Sequence, residues 1–529
     1  MNQSSDALIR EQVGNALRAG NTAEAERLLR GRILQAPGDL DAFAALGDLL
    51  ARNGAAGEAI QLLERGLTLA PEAHAMRLHL SDLHQQQSHF PIALAHLQRV
   101  PRELRQSFDL KAREAALLGQ LGRREDEIAI YQDLVREQPR NAALWQSLGN
   151  ALNYAGNLDE AVAALRRSIK LRPSFGEPWW SLANLKRVRF ENRDIAAMQK
   201  ELRGSLGPVD ALHFHFALGR AFEERRDYER SFDHYLAGNR LRSASLTVGS
   251  TRVTSLVDAA IATFTTALFE HYKDAGCEEE GPVFVVGLQR SGSTLIEQIL
   301  ASHPDIEGTA ELMTMQNLCD ELGAAGTHHN RNVFQQIMHT DPAVFRRIGE
   351  EYLTRTKAYR VHGKRLFVDK LPANWMNVGL IRLALPNARI IDARRHPMAC
   401  GFSNFKQHYA SGVTFSYSLE SIGAFYADYL RMMRHFDSVQ PGTIHHLTNE
   451  RLIDDPETEV RRMLDYVGVP FDPACLEFHA NTRAVHTPSA EQVRRPINRD
   501  GVDSWRNFEP WLGPLKKALG PAYDDWQCG

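Results

Sequence analysis

The chain has 529 residues, 43% of them hydrophobic and 24% charged, with a formal net charge of −3. That length exceeds one ordinary core and predicts two or three globular domains, and the near-neutral balance leaves no global electrostatic case for nucleic acid or an anionic membrane. Five widely spaced cysteines read as reduced thiols, not as a disulfide framework. The opening MNQSSDALIREQ lacks an apolar core segment, which predicts no signal peptide. No run approaches the ~20 apolar residues that span a bilayer, so the expected location is cytoplasmic.

From the N-terminus the sequence repeats with a period of 34 residues. Pro37, Pro71, Pro139 and Pro173 share one register, with Arg105 in the open slot; Gly20, Gly54, Gly122 and Gly156 share a second, with Ser88 in the gap; Ala25, Ala59, Ala93 and Ala161 share a third, with Glu127 as the exception. Gly47 and Gly149 fit a fourth. Small residues at fixed slots let helices approach closely; a Gly ends one helix and a Pro marks the turn before the next pair. The pattern resembles the tetratricopeptide repeat over residues 5–205, most clearly from Asn141 to Pro173, with a further copy from Phe214 to Arg242. Residues 186–200 fit badly and read as irregular. The resemblance implies an all-α solenoid over residues 1–245 whose concave face binds an extended peptide or partner protein. Trp145, Tyr154, Trp179 and Trp180 are candidates for that face. Residues 243–271 read as helix and Lys273–Gly281 as a polar linker, so residues 246–280 separate the repeats from a domain over 281–529.

That domain opens on VFVVGLQRSGSTLIEQIL, Val283–Leu300: a buried strand, a Gly-bearing turn and an apolar-striped helix. The order offers backbone N–H groups and a helix N-terminus to a phosphate. Gly287, Gly292, Ser293 and Thr294 almost fit the phosphate-loop pattern, but Ser293 replaces the Lys that reaches the outer phosphates of ATP or GTP, and Arg290 sits inside the loop. The expectation is a single 5′-phosphate-type group, not a triphosphate in transfer. Glu311 follows 21 residues beyond Arg290, Lys370 ends the strand-like RLFVD, and Arg389–Ala393 forms another strand, ending in Arg394 and Arg395, before a helix that opens near Pro397 and carries Ser403. Ligands of open α/β sheets bind beyond the C-terminal strand ends, so these residues are expected to converge on one crevice. An in-line transfer builds charge on the bridging oxygen, where Lys370 or Arg290 would stabilise it, and Glu311 suits the base if burial raises its pKa.

Val283–Pro304 together with DARRHPMACGFSNF, Asp392–Phe405, resembles the two nucleotide elements of sulfotransferases that use 3′-phosphoadenosine 5′-phosphosulfate (PAPS). The R-S-G-S-T loop, the downstream Glu, the Lys near a Pro and the tail TPSAEQVRRPIN, Thr487–Asn498, are most similar to tyrosylprotein sulfotransferases; the union with repeats is similar to bacterial repeat-containing sulfotransferases. The resemblance implies an N-terminal tetratricopeptide solenoid and a P-loop-like α/β domain with a central parallel sheet. It implies that Arg290 and the amides of Ser291, Gly292, Ser293 and Thr294 cradle the 5′-phosphate, that Arg395 and Ser403 hold the 3′-phosphate, and that Ser489 and Arg495 line the nucleotide site. PAPS is then the co-substrate, a hydroxyl (foremost a peptide tyrosine, with carbohydrate or lipid hydroxyls as alternatives) the acceptor, and no metal is needed. The tail departs from the pattern at Ser504, which precedes Trp505 where a basic residue is usual; Arg506 is the candidate substitute.

Weaker readings stand beside these. His303 in S-H-P is a possible base, but a turn His before Pro is more often structural. The pairs His328-His329 and His445-His446 lack helical ligand spacing, and Asp392 matches a Mg²⁺-binding Asp only in a loop that has its Lys. A repeat scaffold with a non-catalytic nucleotide module and a nucleotide or small-molecule kinase are the rival functions.

Overall fold

The computed structural model describes residues 3–185, 188–246, 251–324, 333–409, 413–481, 483 and 492–527. The chain divides into two compact units, Met1–Pro139 and Arg140–Gly529.

In the first unit, helices pair in sequence: Gln3–Arg18 with Thr22–Gln35, Leu40–Arg52 with Ala56–Leu69, His74–Gln86 with Phe90–Gln98, and Phe108–Gln120 with Arg124–Glu137. The glycine register marks the turn inside each pair. Gly20, Gly54 and Gly122 have φ of +72°, +79° and +76°, and Ser88 accepts the same left-handed backbone at +58°. The small-residue slots are tight, since a Cβ on Gly47 would lie 2.9 Å from the Leu63 side chain. Where Arg105 replaces Pro, an extra turn, Arg102–Arg105, follows Pro101, and the Arg105 Nε donates to the Val100 carbonyl at 3.0 Å. Phe43, Leu46, Leu63 and Leu80 belong to the buried stripe of this unit.

The second unit begins with further helical pairs, Ala142–Ala155 with Leu158–Leu171 and Pro208–Glu224 with Tyr228–Ser243. Between them the stretch that reads as irregular in sequence forms a helix, Asn192–Leu202, where described. The Asp194 carboxylate turns back to accept from the Glu191 N–H at 3.1 Å, a cap built on Glu where Ser or Thr is the familiar signal. Trp179 and Trp180 are buried against Phe214 and Phe216, so they are core and not concave-face residues; Tyr154 is 37% exposed and Trp145 half-buried.

Five parallel strands follow: β1 (Pro282–Gly287), β2 (Ile306–Gly308), β3 (Leu366–Asp369), β4 (Arg389–Arg394) and β5 (Ile444–Thr448), in the order β2-β3-β1-β4-β5. β1 is buried throughout, as expected of a parallel strand covered on both faces. Its side chains alternate between two cores. Val283 and Val285 join Ile296, Ile299 and Leu300; Phe284 and Val286 join a core that continues through Phe367 and Ile390 to Trp180, Phe214 and Phe216. The last repeat-like helices and one face of the sheet therefore share a single core. The architecture is helical repeats followed by a parallel-sheet domain, as expected. No described helix is long and apolar enough to cross a membrane, and Cys277, Cys319, Cys400 and Cys475 are free.

Candidate active site

From β1 the chain builds β2 and β3 on one side of the sheet and β4 and β5 on the other. The C-terminal ends of β1 and β4 thus flank a switch point, the usual ligand crevice of an open α/β sheet. The loop leaving β1 needs its glycines. Gly287 and Gly292 have φ of +135° and +100°. A Cβ on Gly287 would run into the Ala393 carbonyl, and one on Gly292 would lie 2.6 Å from Asn449 Oδ1. Arg290 takes φ +68° without being glycine, a conformation that sites tolerate when their surroundings hold it. The helix Ser293–Ala301 starts immediately after Gly292. Its first amides have no intrahelical acceptor, and the dipole there favours an anion.

The second element holds this loop from the side. Cys400 Sγ and Asn404 Nδ2 both donate to the Gln289 carbonyl, at 3.4 and 2.7 Å, and Arg290 Nε donates to Ser403 Oγ at 3.1 Å. Burial pushes the Cys400 thiol up to about 12, so it stays protonated and donates. Arg395 donates to the Arg290 carbonyl at 3.1 Å and also to the Gly501 carbonyl. Burial and the nearby Arg290 charge lower the pKa of Arg395. Its own carbonyl accepts from the Tyr426 hydroxyl at 2.6 Å.

A cavity of about 130 Å³ opens here, lined by Arg290, Gly292, Ser293, Thr294, Arg395 and, from the tail, Arg495. Two buried donors lack partners among the described residues, Arg395 Nε and Ser291 Oγ. A buried polar group without a partner is costly. A cationic and a hydroxyl donor left open beside a helix N-terminus suit phosphate oxygens, so the residues present fit a nucleotide phosphate.

Glu311 and Lys370 form a neighbouring group. Lys370 follows β3 directly, is 1% exposed, pairs with Glu311 and lies 3.8 Å from Glu297 of the loop helix, which in turn pairs with Arg483. The condition attached to Glu311, burial, is not met: its side chain is 47% exposed, because it sits on the stretch leaving the edge strand β2. The buried carboxyls beside Lys370 are Glu297 and Asp369; burial lifts Asp369 to about 8, and it accepts from the Tyr352 hydroxyl at 2.8 Å.

Of the expected site residues, Arg290, Gly292, Ser293, Thr294, Arg395 and Arg495 line one cavity, and Ser291 is buried in the same loop. Ser403 reaches it through Arg290, and Glu311 and Lys370 join the loop helix through Glu297. Ser489 lies outside the described residues. Arg506 does not line the cavity; it pairs with Asp503 at 2.9 Å and lies over the Trp505 ring. His303 is held by the Pro470 carbonyl at 2.9 Å and the Asp305 N–H at 3.1 Å, a structural role. Asp392 is buried in a network with Arg394 at 2.6 Å, His446 at 2.8 Å and the Tyr429 hydroxyl. Burial alone would raise its pKa, but Arg394 and His446 hold it at about 2. His445 stacks on Tyr466; His328 and His329 lie outside the described residues. Asn404, Asn449, Glu297 and Arg483 escaped the sequence reading. Only Glu297, a carboxylate within an apolar-striped helix, carried a signal.

A sulfotransferase family model matches residues 282–473, and a tetratricopeptide repeat model matches residues 12–74 and 112–175. A protein of Aquifex aeolicus (strain VF5), described as uncharacterized, is 28% identical over 403 residues, 73% of this chain and 52% of its own length, so the chain spans about half of that relative. A putative protein-tyrosine sulfotransferase of Caenorhabditis briggsae is 25% identical over 42% of this chain and 80% of its own. Nodulation protein NoeE of Sinorhizobium fredii (strain NBRC 101917 / NGR234) is 25% identical over 44% of this chain and 60% of its own.

Proposed function

Because this chain joins tetratricopeptide repeats to a sulfotransferase-family domain, we propose that it moves a sulfuryl group from PAPS to an acceptor hydroxyl, foremost a tyrosine presented on a protein. The observation that carries this reading is the convergence of the Arg290–Thr294 loop, Arg395 and Arg495 on one cavity. Its open Arg395 Nε and Ser291 Oγ suit phosphate oxygens, while the loop lacks the Lys of an NTPase. The tyrosine preference is supported by the motif order and by the name of the nematode relative. The repeats recruit the acceptor or a partner protein.

In this reading the amides of Ser293 and Thr294 and the Arg290 guanidinium hold the 5′-phosphate end, and Arg395 with Ser403 holds the 3′-phosphate. The sulfur–oxygen bond to the acceptor forms as the bond to the 5′-phosphate oxygen breaks, and the acceptor proton passes to Glu311. Lys370 and Arg290 offset the negative charge left on the departing bisphosphate. Lys370 also fixes the Glu311 carboxylate by direct pairing.

Calorimetric titration with 3′,5′-bisphosphoadenosine, ATP·Mg²⁺ and AMP tests the reading, on the wild-type chain and on Arg395→Ala. Selective bisphosphate binding, weakened about 10- to 100-fold by loss of hydrogen bonds to a charged group, is the expected result. Preference for ATP would return the choice to a kinase. Nucleotide binding without transfer to any acceptor class would favour a scaffold.

A further inference from the structure

Arg395 is held at both ends. At its guanidinium, one terminal nitrogen donates to the Arg290 carbonyl at 3.1 Å and the other to the Gly501 carbonyl, while Nε has no partner among the described residues. At its backbone, the peptide that joins it to His396 is gripped from two sides. The Arg395 carbonyl accepts from the Tyr426 hydroxyl at 2.6 Å, and the His396 N–H donates to Glu450 Oε1 at 3.0 Å. This peptide is trans, so the two groups point to opposite sides of one rigid plane. Tyr426 comes from the helix Leu419–Val439, and Glu450 from the helix Asn449–Asp454 that follows β5. Fixing the plane fixes the chain where it leaves β4, and with it the root of the Arg395 side chain. Tyr426 is 1% exposed, and burial raises its hydroxyl well above the ordinary pKa, so it stays protonated and donates. Glu450 Oε2 is buried without a partner among the described residues. Such a group destabilises a fold unless something else holds it there.

We propose that Tyr426 and Glu450 are positioning residues for Arg395: by clamping the Arg395–His396 peptide they aim the open Nε into the cavity, and so set the preference for a nucleotide with a 3′-phosphate over one without. Neither lines the cavity, whereas Arg395 does, so both act through it. The neighbouring parts of the site have supports of their own. Cys400 and Asn404 hold the loop after β1 at the Gln289 carbonyl, and the helix that carries Ser403 is anchored just past its end by Lys406, which pairs with Glu223 at 2.6 Å. A loosened clamp should therefore displace Arg395 while the 5′-phosphate cradle and Ser403 stay in place. A small shift suffices, because hydrogen bonds from a guanidinium to a phosphate depend on the direction of its planar fork.

The inference rests on the sulfotransferase reading, and titration of the full chain with 3′,5′-bisphosphoadenosine and with AMP separates the two. The quantity read is the ratio of the two affinities, which a general loss of stability would not move. Tyr426→Phe keeps the ring and removes only the hydroxyl; it should lower the ratio about 2- to 10-fold, the worth of one hydrogen bond, with AMP affinity unchanged. Glu450→Gln and Glu450→Ala both lose the charge but differ in the acceptor offered to the His396 N–H. The ratio in Glu450→Ala should therefore fall below that in Glu450→Gln by a similar factor. Equal losses on both nucleotides, an unchanged ratio in Tyr426→Phe, or identical ratios in the two Glu450 variants would each overturn the proposal. A wild type that does not prefer the bisphosphate would fail the sulfotransferase reading and the inference with it; a wild type that prefers it beside variants that keep the preference would fail the inference alone.

Discussion

Arg290 and Ser403, 113 residues apart in sequence, are joined by a 3.1 Å hydrogen bond across the crevice between the ends of β1 and β4. The bond makes two separately recognisable motifs one unit. Their effects on bisphosphate affinity should therefore be non-additive. In a cycle of Arg290→Ala, Ser403→Ala and the double variant, calorimetry should return a coupling of about 0.5–1.5 kcal/mol, the worth of one hydrogen bond. Additive losses would mean the two residues act independently on the ligand.

Glu311 is exposed and paired, whereas Lys370 is buried and shared between two carboxylates. Glu311→Gln should lower kcat by about 10²–10⁴, the contribution of a positioned base, with bisphosphate affinity and Tm unchanged. Lys370→Met should also lower kcat, but at a cost of about 3–5 kcal/mol in stability, since it strips Glu297 of one of its two cationic neighbours in a buried cluster. Urea denaturation beside steady-state kinetics distinguishes the two.

Stability should fall on both sides of neutrality. Burial would lower the pKa of His446, but Asp392 and Asp437 outweigh it and raise it to about 9. The fold thus holds that proton more tightly than the unfolded chain. Its stabilisation is complete below about 6.5 and is lost as pH rises through about 9. On the acid side, burial lowers His213 and His234 to about 4 and His408 to about 3. These residues stabilise the fold only while neutral, and that contribution fades as pH drops from about 6.5 toward 4. Tm measured across this range should peak near neutrality, and His446→Gln should flatten the alkaline limb alone.

Gly292→Ala should fold but bind poorly. The new methyl would meet Asn449 Oδ1, a side-chain atom that can move, at a backbone φ of +100°. Gly287→Ala instead drives a methyl into the Ala393 carbonyl between two paired strands. It should lose about 1–3 kcal/mol of stability from strained backbone, and denaturant titration would show the difference between the two.

Features set by local backbone demands were legible in the sequence. The glycine register, including its Ser88 exception, reports left-handed turns, and the strand-loop-helix from Pro282 is legible from its apolar run and its glycines. Features set by distant partners were not. β5 is an IHHLT run whose histidines mask its strand character, and β2 has three residues. Trp179 and Trp180 read equally well as surface or core until Phe214 and Phe216 are seen packed on them. The Glu223–Lys406 pair spans 183 residues, and neither partner stands in a motif. Glu311 was identified by its spacing and by the order of the motifs, but its exposure depends on the edge position of β2, which neither encodes.

The core that runs from Trp180 and Phe216 to Phe284 and Ile390 bears on how such a protein can diversify. Exchange of recruitment modules between paralogues, by recombination or by design, requires a seam that severs few interactions. Residue 245, the expected end of the solenoid, is no such seam, because cutting there would strand Phe405, Phe508 and Trp511 without Phe232 and Tyr228. The break between Pro139 and Arg140 leaves this core intact, so a seam there keeps the last helical pairs together with the sheet face they pack on.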